Sequence, residues 1–132
     1  MIALDTNILV RLLTADDAAQ ARRAKDLLLQ SRDYWIPVTV LLELGWVLQS
    51  QGWERARVAQ TLRELLSTAN IKPQHPDAVY RALQWHRDGV DLADALHVAL
   101  SATASEFLSF DEALQKKAAA LGLSPAVATP AR

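Results

Sequence analysis

Cysteine is absent from this chain, which removes disulfides, thiolate zinc sites and thiol catalysis. Only four glycines are present, with no Gly-rich phosphate loop and no G-x-S-x-G, so a dinucleotide cofactor is not expected. The longest apolar stretch, Ile36 to Leu48, contains Glu43 and is too short to span a bilayer. The opening Met-Ile-Ala-Leu-Asp5 lacks the basic and apolar regions of a signal peptide, so a soluble, cytoplasmic protein is expected. An excess of one charge is missing too. Against 15 Asp and Glu stand 14 Lys and Arg, a formal charge of -1, which is not the footprint of a strongly electrostatic DNA binder. A local basic patch remains compatible with a nucleic-acid substrate.

What is present points to one folded domain over residues 1–132, with 51% hydrophobic and 22% charged residues. Ile2 to Leu4 reads as a strand that leads directly into a helix over Thr6 to Leu13. A second helix starts at Asp16 and Asp17 and runs to about Gln30. Tyr34 to Val38 is the next strand. Thr39 is positioned to cap a helix to about Ser50, ended by Gly52, and Trp53 to Leu66 is a further helix. Asn70 to Lys72 is a weak strand signal and Pro76 to Arg87 a helix. Asp91 caps a helix from Leu92 to about Thr103, followed by a strand at Glu106 to Phe110. A last helix, Asp111 to Leu121, stops at Gly122, with a short strand at Ala126 to Ala128 and a loose tail from Thr129 to Arg132. Strands alternating with helices predict an α/β fold with a mainly parallel sheet.

Four acids sit where apolar runs give way to helices: Asp5, Glu43, Asp94 and Asp111. Ionised carboxylates in apolar surroundings are costly unless paired. Four of them meeting in one place would repel, and a divalent cation, Mg²⁺ or Mn²⁺, is the simplest thing that lets them meet. In open parallel sheets, sites form beyond the carboxyl ends of the strands, where Asp5 and Asp111 are expected.

Each acid also has a structural reading. Asp5 is a favoured N-cap type, with Asn7 suited to the same turn. Glu43 suits an exposed edge or a buried hydrogen bond. Asp91-Leu-Ala-Asp94 and Ser109-Phe-Asp-Glu112 both resemble capping boxes. His97 shares a helix face with Asp94 and reads either as a ligand partner or as a structural histidine, whereas His75 and His86 read as structural. Trp35, Trp46, Trp53 and Trp85 suit core packing or a dimer interface better than base stacking, and Arg22, Arg23 and Lys25 suit a solvated helix face better than phosphate contact.

Taken in order, Leu-Asp5-Thr6-Asn7, Glu43 in its apolar helix, Asp91-Leu-Ala-Asp94-Ala-Leu-His97 and Ser109-Phe-Asp111 resemble the PIN-domain ribonucleases, and more closely their VapC-type toxins. The resemblance implies a three-layer α/β/α sandwich around a mainly parallel sheet. It also implies a Mg²⁺- or Mn²⁺-dependent endoribonuclease acting on RNA as a homodimer, inhibited by a small antitoxin. The family's acidic quartet carries over to Asp5, Glu43, Asp94 and Asp111, with Thr6, Asn7, Asp91 and Ser109 as supporting positions. The rival readings are weaker. Haloacid-dehalogenase-like phosphatases need a second Asp where this chain has Asn7, and a phospho-receiver needs a lysine earlier than Lys116 or Lys117. A catalytically silent PIN-like module that binds RNA or a protein is the non-enzymatic alternative.

Overall fold

A computed structural model describes residues 1–131, and Arg132, the end of the expected loose tail, lies outside the described residues. Among the described residues are five short strands and seven helices in mostly alternating order, the expected α/β class. The chain divides into two compact units, Met1–Gln74 and His75–Arg132.

The first unit carries β1 (Ile2–Ala3), α1 (Thr6–Thr14), α2 (Ala18–Leu28), β2 (Tyr34–Ile36), α3 (Val38–Ser50), α4 (Arg55–Leu66) and β3 (Ile71–Pro73). Its strands form a parallel sheet in the order β1-β2-β3, with Ile2 opposite Tyr34 and Tyr34 opposite Ile71. Parallel strands need covered faces, and Tyr34, Ile36 and Ile71 are buried with Leu9, Leu41, Leu44, Leu48, Val58 and Leu62 from the helices. The buried residues of α3, Leu41, Leu44, Gly45 and Leu48, recur at helical spacing.

Local chemistry adjusts several expected boundaries. Helix α3 starts at Val38 with Pro37, not Thr39, at its cap position, and no side chain of its own caps it. Gln74 does that work from the end of β3, its Oε1 accepting from Val38 N at 3.0 Å. Asp17 caps α2 by accepting from Gln20 N at 3.0 Å, so that helix starts later than Asp16.

The second unit carries α5 (Pro76–Arg87), α6 (Leu92–Ala99), β4 (Glu106–Leu108), α7 (Glu112–Leu121) and β5 (Ala126–Ala128). Strands β4 and β5 pair in parallel, Glu106 opposite Ala126. Helix α5 packs on α6 and α7 on β5. Val79, Ala82, Leu83, Leu92, Ala95, Leu96 and Val98 are buried in α5 and α6, and Leu114 and Ala118 in α7. Helix α6 is about a turn shorter than expected. Ser101 Oγ donates back to His97 O at 2.7 Å, and Ser101 N bonds Val98 O at 3.0 Å, which tightens the chain out of α geometry. Gly122 ends α7 at φ +68, a left-handed conformation that an L side chain resists. No described helix is long and apolar enough to cross a membrane.

Candidate functional site

In the first unit, Leu4 N still bonds Trp35 O at 3.0 Å, so Asp5 leaves the sheet at the carboxyl end of β1. It becomes the N-cap of α1, with Oδ1 accepting from Thr6 N at 2.8 Å and its side chain exposed. The cap bond engages one carboxylate oxygen. Thr6 is only 4% exposed, yet its Oγ1 has no hydrogen-bond partner. A buried hydroxyl left unsatisfied costs about 1–3 kcal/mol and calls for a reason. Asn7 is exposed on the same first turn. Glu43 is exposed in mid-α3, on a stripe with Thr39, Trp46 and Ser50 opposite the helix's buried face.

In the second unit, Asp91, Asp94 and Asp111 come within electrostatic reach of one another. Burial pushes the Asp94 carboxyl above its ordinary value, and the carboxylates of Asp91 and then Asp111 push it the same way. His97 and Lys117 pull it back. Asp91 is the N-cap of α6, Oδ2 accepting from Ala93 N at 3.1 Å and Asp94 N at 3.3 Å. This is the forward half of the expected capping box. Among the described residues Asp94 makes no bond back to Asp91, so its carboxylate remains available for other work.

The second expected box does not form. Asp111, not Ser109, caps α7, its Oδ1 accepting from Leu114 N at 3.0 Å. Ser109 instead accepts from Asp111 N at 3.0 Å through Oγ, shaping the turn that presents Asp111. Two further residues hold this corner. Gln115 Nε2 donates to Ser109 O at 2.7 Å while its Oε1 accepts from Thr129 Oγ1 at 2.9 Å. Lys117 Nζ donates to Gly89 O at 2.8 Å, just before the Asp91 cap. Gln115 gave no sequence signal, and Lys117 entered only as a lysine wrongly placed for a phospho-receiver.

The remaining candidates have structural places or none. His86 is fully buried with Nδ1 donating to Val90 O at 2.7 Å, and His75 sits at the start of α5. Trp85 is buried, the Arg57 guanidinium covers the Trp53 ring at 3.6 Å, and Trp46 is 67% exposed.

In each unit the donor chemistry suits a hard divalent cation, oxygen without sulfur: in the first, Asp5 keeps one carboxylate oxygen outside its cap bond beside the orphaned Thr6 hydroxyl, and in the second, Asp111 keeps one outside its own. A ready-made cage is not part of that fit. Among the described residues no group of three or more His, Asp or Glu side chains is arranged to hold a metal ion.

The family model for the PIN domain matches residues 2–120 of the chain. Its members are generally nucleases that typically use divalent metal ions. No curated protein matches the chain.

Proposed function

The chain belongs to the PIN-domain family, and we propose that it is a Mg²⁺- or Mn²⁺-dependent endoribonuclease that hydrolyses RNA phosphodiester bonds. The observation that carries this reading is the clustering of Asp91, Asp94 and Asp111 at two helix starts of the second unit, close enough that Asp91 and Asp111 add to burial in pushing the Asp94 carboxyl upward. Repelling carboxylates kept together at helix starts are what a cation site requires before the cation arrives. A bound divalent ion supplies charge stabilisation at the attacked phosphate and a more acidic water.

The protein's own part is positioning. Asp5, Asp94 and Asp111 are the assigned ligands, and Glu43 is assigned to the cation or to the orientation of water. Ser109 and Gln115 fix the turn before Asp111 through its backbone, and Asn7 and Thr6 stand beside Asp5 on the first turn of α1 as the proposed supporting positions. Asp91 holds α6 in place as its cap.

The order of the motifs from Asp5-Thr6-Asn7 to Ser109-Phe-Asp111 supports the finer reading, a VapC-type toxin that acts as a homodimer and is restrained by a small antitoxin. Trp46, exposed beside Glu43 on α3, suits that dimer or antitoxin contact. A second reading, a silent module that binds RNA or a protein, draws support from the lack of a preformed three-donor group among the described residues.

Asp5→Asn separates the two. It preserves shape and cap and removes one charge, so it should abolish metal-dependent cleavage of RNA while leaving the circular dichroism spectrum unchanged. Cleavage at the wild-type rate by this variant would remove Asp5 from the mechanism, and a folded wild type that cuts nothing in Mg²⁺ or Mn²⁺ would favour the silent module.

A further inference from the structure

A pocket of about 510 Å³ lies between α1 and α2, entirely within the first unit. One wall is Asn7, Ile8 and Arg11 of α1, and the other includes Gln20, Arg23 and Leu27 of α2. The polar lining is two guanidiniums and two amides, with no carboxylate among the lining residues. Arg11 Nε donates to Gln20 Oε1 at 2.7 Å, which sets the plane of the guanidinium and leaves its terminal nitrogens outside that bond. Among the described residues neither Arg11 nor Arg23 pairs with a carboxylate. A chain with nearly balanced charge therefore keeps two unneutralised guanidiniums on one concave surface.

We infer that this pocket binds a nucleotide of the RNA strand beside the bond to be cut, with Arg11 and Arg23 on its phosphate. Planar guanidinium forks match phosphate oxygens bidentately. The volume exceeds what a bare phosphate needs and falls in the range of small-molecule sites. Ile8 and Leu27 offer an apolar floor to a sugar or base, and Asn7 and Gln20 offer amide groups to their polar edges. The location suits a substrate strand, because Asn7 stands on the turn that Asp5 caps and Arg11 lies four residues, about 6 Å, further along the helix. The inference rests on the ribonuclease reading and deepens it by naming positioning residues for the strand.

The test is equilibrium binding of a short single-stranded RNA in EDTA, where no cutting occurs, across a salt series. It compares wild type with Arg11→Gln, Arg23→Gln and Arg22→Gln. Arg22 is exposed on α2 and does not line the pocket. For single-stranded nucleic acid, neutralising one phosphate fewer flattens the log–log salt slope by about 0.7. Arg11→Gln and Arg23→Gln should each show that flattening and bind several-fold more weakly, while Arg22→Gln matches wild type. In cleavage assays with metal the same two variants should raise KM more than they lower kcat. Equal slopes in all four proteins, or equal weakening in Arg22→Gln, would overturn the pocket. So would unchanged RNA binding by variants that instead lose a co-purifying small protein. A wild type that cuts RNA while the pocket variants behave like it sinks the pocket alone; a wild type that neither binds nor cuts RNA sinks both readings.

Discussion

Asp94 carries opposing demands in one side chain. Its carboxyl is raised above the ordinary 3.8 by burial, then by Asp91 and Asp111. A raised folded-state value means the folded protein takes up the proton more readily than the unfolded chain, so ionisation of Asp94 destabilises the fold. That penalty is absent below 3.8, grows as pH climbs through the raised value, and is complete above it. Asp94→Asn should therefore melt higher than wild type at neutral pH in EDTA, and the gap should close as pH falls through that window. A gap independent of pH would refute the electrostatic account. Thr6 is simpler. Its orphaned Oγ1 has no bond to lose, so Thr6→Val, nearly isosteric, should leave the melting temperature unchanged or raise it, adding at most the about 1–3 kcal/mol that an unsatisfied buried hydroxyl costs. A marked loss would mean that the hydroxyl has a partner in the metal-free protein.

At the scale of elements, three of the candidate acids double as caps or first-turn residues. Asp5 and Asp111 follow strands and cap helices, and Asp94 lies in the first turn of α6. Stability and activity at Asp111 can be separated for this reason. Asp111→Ala should lose about 1 kcal/mol in chemical denaturation through the bond to Leu114 N, whereas Asp111→Asn keeps the cap. Both should lose RNA cleavage. Equal stability of the two variants would show that the cap contributes nothing.

The element pattern was largely legible because it is local: α5 and β5 fall on the expected residues, and Gly122 stops α7. What sequence reasoning missed depends on partners distant in the chain. Gln74 takes over the capping role that Thr39 was expected to play by reaching Val38 N across 36 residues, and Lys117 reaches Gly89 across 28. The Arg11–Arg23 pocket exists only because α1 and α2 pack together. Read on its own helix, Arg23 looks like part of a solvated face.

For the whole molecule, the chain's PIN-domain membership and the crowding of Asp91, Asp94 and Asp111 in the second unit are the two observations on which the proposed chemistry rests. Asp5, Glu43, Asp94 and Asp111 were each legible in sequence as acids at helix starts or in apolar surroundings, and each also had a bland structural role. In the structure Asp5 and Asp111 cap their helices, each through one carboxylate oxygen, and the cation role assigned to them belongs to the proposal. The decisive measurement is cleavage of total cellular RNA by the purified protein in Mg²⁺, Mn²⁺ or EDTA, beside the Asp94→Asn variant. Discrete products that require metal and vanish in the folded variant are expected. Products that persist in EDTA, or undiminished cutting by Asp94→Asn, would contradict the proposed chemistry.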